Sequence, residues 1–232
     1  MNTVTPYARI IAPHERFENG LLIDFGISLL RHVEWCARIS HRSEDAQTED
    51  SWRRLLESVV LQHGDWSVTE HASITVEALV DRGITHEWVR HRIGAYTQES
   101  TRFVNYAKRI TPSFVEPRFE ELLNEPALSV VQRAFEGAID AAETTYLLLL
   151  DHGCSPQIAR SVFPNALASK LIVTYNLRSW RHFFLMRTSK EAHPQMREVT
   201  VPLLEEFKRT VPLLYDDIEP GARQVENLRK AR

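Results

Sequence analysis

Residues 73–80 constrain the fold of this chain more than any other segment, because their side chains alternate between apolar and polar. Ile74, Val76, Ala78 and Val80 alternate here with Ser73, Thr75 and Glu77. A period of two is typical of a β-strand that buries one face and leaves the other in water. The segment therefore predicts a half-buried strand, which continues through Gly83 into a helical stretch.

The rest of the chain follows helical periods more often than strand periods. The predicted helices cover residues 21–39, 51–62, 84–92, 126–151, 180–187 and 194–210, and a short one that starts at Ser155 and holds Arg160. Thr85 and Ser179 are the predicted N-caps of helices 84–92 and 180–187. Further strands are predicted over residues 8–12 and 169–175. A doubly wound sheet needs more strands than this, so the pattern predicts an α+β fold.

The composition is typical of a globular domain. The chain has 232 residues, of which 43% are hydrophobic and 25% charged, and this is enough apolar material for one sizeable core. We therefore expect a single domain over residues 1–232. The sequence shows neither a membrane-spanning stretch nor a secretory signal, which predicts a cytoplasmic protein. Its two cysteines, Cys36 and Cys154, lack the spacing of a zinc site or a disulfide framework.

The net charge of −3 argues against a nucleic-acid binder and against a membrane-surface binder, since both classes rely on a basic excess. An RNA-binding module is further disfavoured because aromatic residues are not interleaved with the main arginine cluster. We therefore expect neither kind of partner, and we expect any anion to be bound locally.

The main basic cluster lies within residues 90–102. It combines Arg90, His91 and Arg92 with Ser100 and Arg102. Guanidinium groups meet phosphate or carboxylate oxygens two at a time, so several of them in one short segment predict recognition of a phosphorylated ligand. Residues 97–101 add five consecutive hydrogen-bonding side chains, a pattern that favours a loop reading a polar heterocycle.

Helical geometry over residues 84–92 predicts that Glu87, Arg90 and His91 share one face. His86, Glu87 and His91 also resemble a zinc-binding helix. The two histidines of such a helix stand four residues apart, whereas His86 and His91 stand five apart and lack an obvious third ligand. No metal site is therefore predicted.

A second polar set lies in the C-terminal third of the chain and consists of Arg160, Asn176, Arg178, His182 and Arg187. Each residue alone fits a charged helix end or an ordinary surface position. The chain has neither the dinucleotide-binding glycine fingerprint nor the Walker pattern, so a bound nucleotide would have to be held by side chains. The two basic sets together are the candidates for that task.

The spacing Arg-His-Arg, seven residues, then Ser, present here as RHRIGAYTQES at residues 90–100, resembles the signature of the flavin-dependent (alternative) thymidylate synthases. Further blocks resemble that family in the right order: ARIS at 37–40, TEHAS at 69–73, ARSVFP at 159–164 and TYNLRS at 174–179. The resemblance runs from about residue 36 to residue 210. Within it, Gln98 stands where an acidic residue is common, and Ala95 and Thr97 replace a serine and an asparagine.

The resemblance implies a mainly helical domain around a small, mostly antiparallel sheet, and a homotetramer whose active sites draw on several subunits. It implies reductive methylation of dUMP to dTMP, with methylenetetrahydrofolate as carbon donor and NADPH-reduced FAD as hydride source. The family's flavin contacts would fall on Ser73, Arg90, His91, Arg92, Gln98, Asn176, Arg178 and His182, with His71 nearby. Its dUMP contacts would fall on Glu87, Trp88, Val89, Arg90, Gln98, Glu99, Ser100, Thr101, Arg102, Arg160 and Arg187.

Roles follow from this resemblance. Arg102 and Arg160 would bind the phosphate. Arg187 would be the catalytic residue, because it would stabilise the negative charge that develops on the polarised pyrimidine. Ser100 is expected to donate a hydrogen bond to dUMP rather than to attack it, because hydride delivered by a flavin needs no enzyme adduct. The residues leave one alternative open, a flavin or nucleotide sensor that kept the pocket and lost the chemistry.

Overall fold

The computed structural model describes residues 1–13, 16–18, 21–108, 110–121 and 123–223. The strands are β1 (Tyr7–Ala12), β2 (Arg16–Glu18), β3 (Leu21–Ile23), β4 (Ser73–Asp81), β5 (Ala95–Gln98) and β6 (Ala168–Asn176). The α-helices are α1 (Phe25–Ile39), α2 (Ser51–Leu56), α3 (Arg82–Trp88), α4 (Ala127–Asp151), α5 (Pro156–Ala159), α6 (Leu177–Arg187) and α7 (Pro194–Thr210). Strands β1, β4, β6 and β5 form, in this order, one small antiparallel sheet. The predicted α+β class is confirmed.

Strand β4 has the predicted alternation, with Ile74, Val76 and Ala78 fully buried. The strand extends to Asp81, whose Oδ1 accepts a hydrogen bond from the backbone N–H of Ile84 at 2.7 Å. Asp81 is therefore the N-cap of α3, and the prediction of Thr85 as the cap is wrong. Thr85 lies inside the helix, where its hydroxyl donates to the Arg82 carbonyl.

Helix α3 ends at Trp88, earlier than predicted. Arg90, His91 and Arg92 follow it in a turn, so the predicted helical face shared by Glu87, Arg90 and His91 does not exist. Residues 95–98 form strand β5, so the first two residues of the predicted loop 97–101 belong to a strand instead. Backbone pairing with β6 in the sheet fixes this segment as a strand.

The predicted helix 21–39 begins later than expected. Residues 21–23 form β3, which pairs antiparallel with β2, and α1 starts at Phe25. Asp24 is the N-cap, because its Oδ1 accepts hydrogen bonds from the backbone N–H groups of Gly26 and Ile27 at 2.9 and 3.1 Å. The carboxylate thus stabilises the start of the helix.

Helix α6 begins at Leu177, three residues before the predicted start. Its N-cap is Asn176 and not Ser179: Oδ1 of Asn176 accepts a hydrogen bond from the backbone N–H of Ser179 at 2.8 Å. Other predictions are close to the structure. Helix α7 has the predicted bounds, α4 starts one residue late, and α2 continues as a π-helix over Glu57–Gln62.

The chain divides into two compact units. The first consists of Met1–Tyr7, Ala78–Arg90 and Thr97–Leu171, and the second of Ala8–Glu77, His91–Tyr96 and the described residues from Ile172 onward. A single domain over residues 1–232 stays a prediction. No helix within the described ranges is long and apolar enough to cross a membrane.

Each unit has its own aromatic core. In the first, the rings of Tyr146 and Phe163 stack with centroids 4.5 Å apart. In the second, Trp180 of α6 packs against Phe184 and Phe207, and the three side chains are fully buried. Burial of such large side chains is the main stabilising contribution to both units.

Candidate active site

The central residue of the signature, His91, lies beside Arg187 in the second unit. Nε of Arg187 donates a hydrogen bond to Nε2 of His91 across 2.8 Å. A guanidinium has no lone pair to offer, so the imidazole is the acceptor and carries its proton on Nδ1. The interaction joins the signature to the C-terminal end of α6.

His91 is held in its neutral form by its surroundings. The imidazole is 9% exposed, meets the ring of Phe183 edge-on at 4.9 Å between centroids, and lies 5.8 Å from the ring of His182. Burial, followed by the positive charge of Arg187 and the nearby His182, lowers the pKa of His91 to about 4. The residue is therefore a hydrogen-bond acceptor at neutral pH.

His182 belongs to the same group but is exposed. Partial desolvation and then the charge of Arg187 lower the pKa of its imidazole. Both histidines are therefore neutral in a region of positive potential. Such a region favours an anionic or electron-rich ligand.

Two tyrosines that were not predicted support the backbone of this group. The hydroxyl of Tyr96 donates to the carbonyl of His91, and it lies 2.6 Å from the hydroxyl of Tyr175. Gly94 makes this packing possible, because a Cβ at that position would collide with the ring of Tyr175. Both tyrosines lie within the blocks RHRIGAYTQES and TYNLRS, which was the only sequence signal for their role.

Other predicted flavin contacts of the second unit lie at strand and helix ends. Ser73 is exposed at the start of β4, and Arg92 is exposed after α3. Asn176 uses its side-chain oxygen to cap α6. Nη1 of Arg178 lies 2.6 Å from Oε1 of Glu70, an ion pair of two half-exposed side chains that adds little stability.

In the first unit, the side chain of Gln98 is fixed by two hydroxyl groups. Its Nε2 lies 2.9 Å from Oγ1 of Thr85 and 3.2 Å from Oγ of Ser169. Thr85 and Ser169 are both buried, whereas Gln98 is partly exposed. The buried hydroxyl groups of Thr85 and Ser169 therefore fix the position of the amide.

Arg160, one of the two predicted phosphate-binding residues, is held in a similar way. Its Nη1 donates to Oγ1 of the buried Thr101 at 3.0 Å. Arg102 is exposed, and its Nη2 lies 3.5 Å from Oε1 of Gln157. The unit thus offers one positioned guanidinium and one that is less constrained.

The remaining predicted dUMP contacts of this unit differ in accessibility. Trp88 is fully buried, so its indole belongs to the core. Glu99 is tied to the protein by its side chain, because its Oε1 accepts a hydrogen bond from the hydroxyl of Tyr106 at 2.8 Å. Ser100 begins a tight turn, in which its carbonyl accepts hydrogen bonds from the backbone N–H groups of Phe103 and Val104. Arg90 is exposed, whereas Glu87 and Val89 are partly buried.

The structure therefore brings together His91, His182 and Arg187 in the second unit, and it pairs Thr101 with Arg160 in the first. It places the indole of Trp88 in the core and pairs Arg178 with an acidic side chain. Thr85, Ser169, Tyr96 and Tyr175 are the supporting residues that reasoning from the sequence missed.

Comparison with known proteins identifies the family of the chain. The family model described as thymidylate synthase complementing protein (Thy1) matches residues 23–213. The chain belongs to this family, and the resemblance seen in the sequence is confirmed.

Curated relatives named flavin-dependent thymidylate synthase match most of the chain. The protein from Geobacter sulfurreducens is 34% identical over 168 residues, which are 70% of this chain and 68% of the relative. The protein from Sulfurisphaera tokodaii is 32% identical over 190 residues, 79% of this chain and 68% of the relative. The protein from Pyrococcus furiosus is 31% identical over 209 residues, 86% of this chain and 80% of the relative.

Proposed function

We propose that this chain is a flavin-dependent thymidylate synthase, an enzyme that methylates dUMP to dTMP. The observation that carries the proposal is the hydrogen bond between Arg187 and His91, because it joins the family signature to the arginine predicted to act on the substrate. The curated relatives bear the same name, and they match two thirds or more of the chain. Motif, geometry and overall similarity thus support the same function.

The donor set of the second unit fits a flavin. It combines exposed guanidinium groups on Arg92 and Arg178 with two neutral imidazoles in a region of positive potential. FAD carries a diphosphate and an electron-rich ring system, which such groups bind. We assign Ser73, Arg90, His91, Arg92, Gln98, Asn176, Arg178 and His182 to this cofactor. When bound, FAD reduced by NADPH supplies the hydride, and methylenetetrahydrofolate supplies the carbon.

The residues of the chain then bind, orient and polarise the pyrimidine of the substrate. Arg187 stabilises the negative charge that develops on the pyrimidine as electron density moves toward C5. His91 keeps the guanidinium in place through its neutral Nε2. The proton at C5 is lost to water once the new carbon–carbon bond has formed, and its release reports the reaction.

The phosphate of the nucleotide is assigned to side chains of the first unit. Arg160, oriented by Thr101, and the exposed Arg102 bind the phosphate, because paired guanidinium groups suit its oxygens. Gln98 and Ser100 contact the base. The remaining assigned contacts, of which Trp88 and Glu99 contribute chiefly through the backbone, are Glu87, Trp88, Val89, Arg90, Glu99, Thr101 and Arg187.

Ser100 is assigned a binding role and not a nucleophilic one. A Ser100→Ala variant is expected to keep about a tenth of the activity or more, since one hydrogen bond to the substrate is lost. Steady-state turnover of dUMP measures this. Complete loss of turnover with intact dUMP binding would instead identify Ser100 as the nucleophile.

The proposal includes assembly into a homotetramer in the cytoplasm. Large apolar side chains are exposed on α1, where Trp35 and Ile39 stand one turn apart, and on α4, where Leu148 is 55% exposed. Exposed apolar surface of this kind favours burial against another copy of the chain. Sedimentation equilibrium measures the assembly, and a monomer at micromolar concentration would contradict this part of the proposal.

The decisive experiment measures tritium release from 5-tritiated dUMP by the purified protein supplied with FAD, NADPH and methylenetetrahydrofolate. Each component is omitted in turn. Release that requires every component supports the synthase. Binding of flavin and dUMP without release would instead identify the non-catalytic sensor.

A further inference from the structure

We propose that Thr85 fixes the amide of Gln98 so that only its carbonyl oxygen faces a ligand, and that this oxygen accepts the imide N–H of a uracil-type ring. Thr85 is thus a positioning residue and Gln98 the residue that reads the ring. The inference rests on the proposed function, because it specifies how the assigned contact of Gln98 recognises its ligand.

The hydroxyl of Thr85 determines which end of the amide faces it. Oγ1 of Thr85 lies 2.9 Å from the carbonyl oxygen of Arg82, and a carbonyl accepts hydrogen bonds only. The single hydroxyl proton of Thr85 is therefore committed to Arg82. Thr85 accepts from Gln98, so the amide atom 2.9 Å away is the nitrogen.

Ser169 completes the orientation of the amide. Its Oγ lies 3.2 Å from the same Nε2, so both N–H bonds of Gln98 have a buried acceptor. Within the described ranges no hydrogen bond reaches Oε1 of Gln98. The fixed amide therefore presents an acceptor to the side from which a ligand would come, and it offers no donor there.

A fixed acceptor selects the hydrogen-bonding pattern of a ring. Uracil carries an N–H between two carbonyl groups, and so does the pyrimidine portion of a flavin. Cytosine has a lone pair at the same ring position, which would meet the oxygen of Gln98 with repulsion.

The test compares binding of dUMP and dCMP to the FAD-loaded protein by isothermal titration calorimetry. We expect the unmodified protein to prefer dUMP by at least tenfold. Thr85→Val keeps the shape of the side chain but removes the hydroxyl, so the amide is free to turn over and the preference is expected to fall at least fivefold. Thr85→Ser keeps the hydroxyl and is the matched control, with a preference within twofold of the unmodified protein.

A parallel arm measures FAD affinity by flavin fluorescence, because the imide N–H could belong to either ring. A changed nucleotide preference with unchanged FAD affinity assigns Gln98 to the base. Weaker FAD binding in Thr85→Val, restored in Thr85→Ser, with an unchanged preference assigns it to the flavin.

Other outcomes overturn the inference. Equal shifts in Thr85→Val and Thr85→Ser would show a packing effect, and no shift in either arm would show that the orientation of the amide does not matter. Tritium release with equal dUMP and dCMP binding by the unmodified protein would refute the inference while leaving the synthase intact. Absence of both tritium release and dUMP binding would refute the proposed function itself.

Discussion

Two arginines of helix α6, six residues apart, are positioned by different hydrogen bonds. Arg181 is 4% exposed and donates to both carboxylate oxygens of Asp217 at 2.7 and 2.6 Å, and to the Leu214 carbonyl at 2.8 Å. Its guanidinium also lies over the ring of Trp66, 4.3 Å from the centroid. Arg187 is held at Nε by a neutral imidazole.

These different contacts suit the two guanidinium groups to different tasks. The carboxylate of Asp217 cancels the charge of Arg181, which then serves to join α6 to the segment after α7. The neutral imidazole of His91 orients Arg187 through Nε, and the charge of Arg187 lowers the pKa of both His91 and His182. An oriented charge is what stabilisation of a transition state requires.

The largest expected effect is that of Arg187→Ala on turnover. Loss of a positioned charge at the reacting ring should lower kcat by about 100-fold or more, while dUMP affinity changes only a few-fold. Tritium release and equilibrium binding of dUMP measure the two quantities. Equal losses of kcat and of dUMP affinity would show that Arg187 is only a binding residue. The functional contrast between Arg187 and Arg181 would then be wrong.

Arg181→Met should act on stability and not on chemistry. It leaves Asp217 without its main partner and should lower the free energy of unfolding by about 2–3 kcal/mol, a moderate value because water reaches that carboxylate. Urea unfolding measures this, with Asp217→Asn as the milder companion variant. A large loss of kcat in folded Arg181→Met protein would contradict the distinction between the two arginines.

The neutral state of His91 predicts a stability that depends on pH. Because the pKa of the folded imidazole is about 4 and that of an unfolded one about 6.5, the unfolded chain takes up the proton first. The contribution of the neutral His91 to the free energy of unfolding is complete above pH 6.5. As the pH falls toward 4, the free energy of unfolding decreases by up to about 3 kcal/mol.

His91→Gln isolates this effect, since its amide oxygen is an acceptor that does not titrate. Unfolding free energies measured from pH 7 to pH 4 should fall more steeply for the unmodified protein than for the variant. Parallel curves would mean that His91 is not the buried neutral acceptor.

The smallest effect is expected for Thr101→Val, which extends the comparison to the first unit. Arg160 is also held by a neutral group, the Thr101 hydroxyl, so its loss should weaken dUMP binding by only about threefold. Thr75→Val, which removes a hydroxyl that bonds Thr174, is the matched control and should bind dUMP normally. A loss of 50-fold or more would contradict the small contribution assigned to the Thr101 hydroxyl.

The period of apolar residues predicted most elements, but two helix starts were misplaced for one physical reason. Asp81 and Asn176 each end a strand, with ψ of 167° and 165°, and each caps the helix that follows. Extended backbone is also the conformation of an N-cap, so a strand can pass directly into a helix. Thr85 and Ser179 matched the sequence rule for caps, yet the earlier residue was already in position.

The supporting residues of the site could not be predicted from spacing. His91 and Arg187 are 96 positions apart, and only resemblance to a family assigned both to one site. The hydroxyls of Thr85 and Ser169 meet Gln98 because α3, β5 and β6 fold together, which no local pattern encodes. Local periodicity thus predicted most of the elements, whereas the partners of each charged group required the folded structure.

The signature has a fixed length for a reason that lies in strand β5. Tyr96 and Gln98 share one face of this strand, and Ala95 and Thr97 are exposed on the other. One inserted or deleted codon between Arg92 and Tyr96 would turn the pleat over and send both side chains to the wrong face. Substitutions can accumulate in this stretch over evolutionary time, but frame-preserving insertions and deletions cannot, and an alignment gap here would mark a protein that has lost the site.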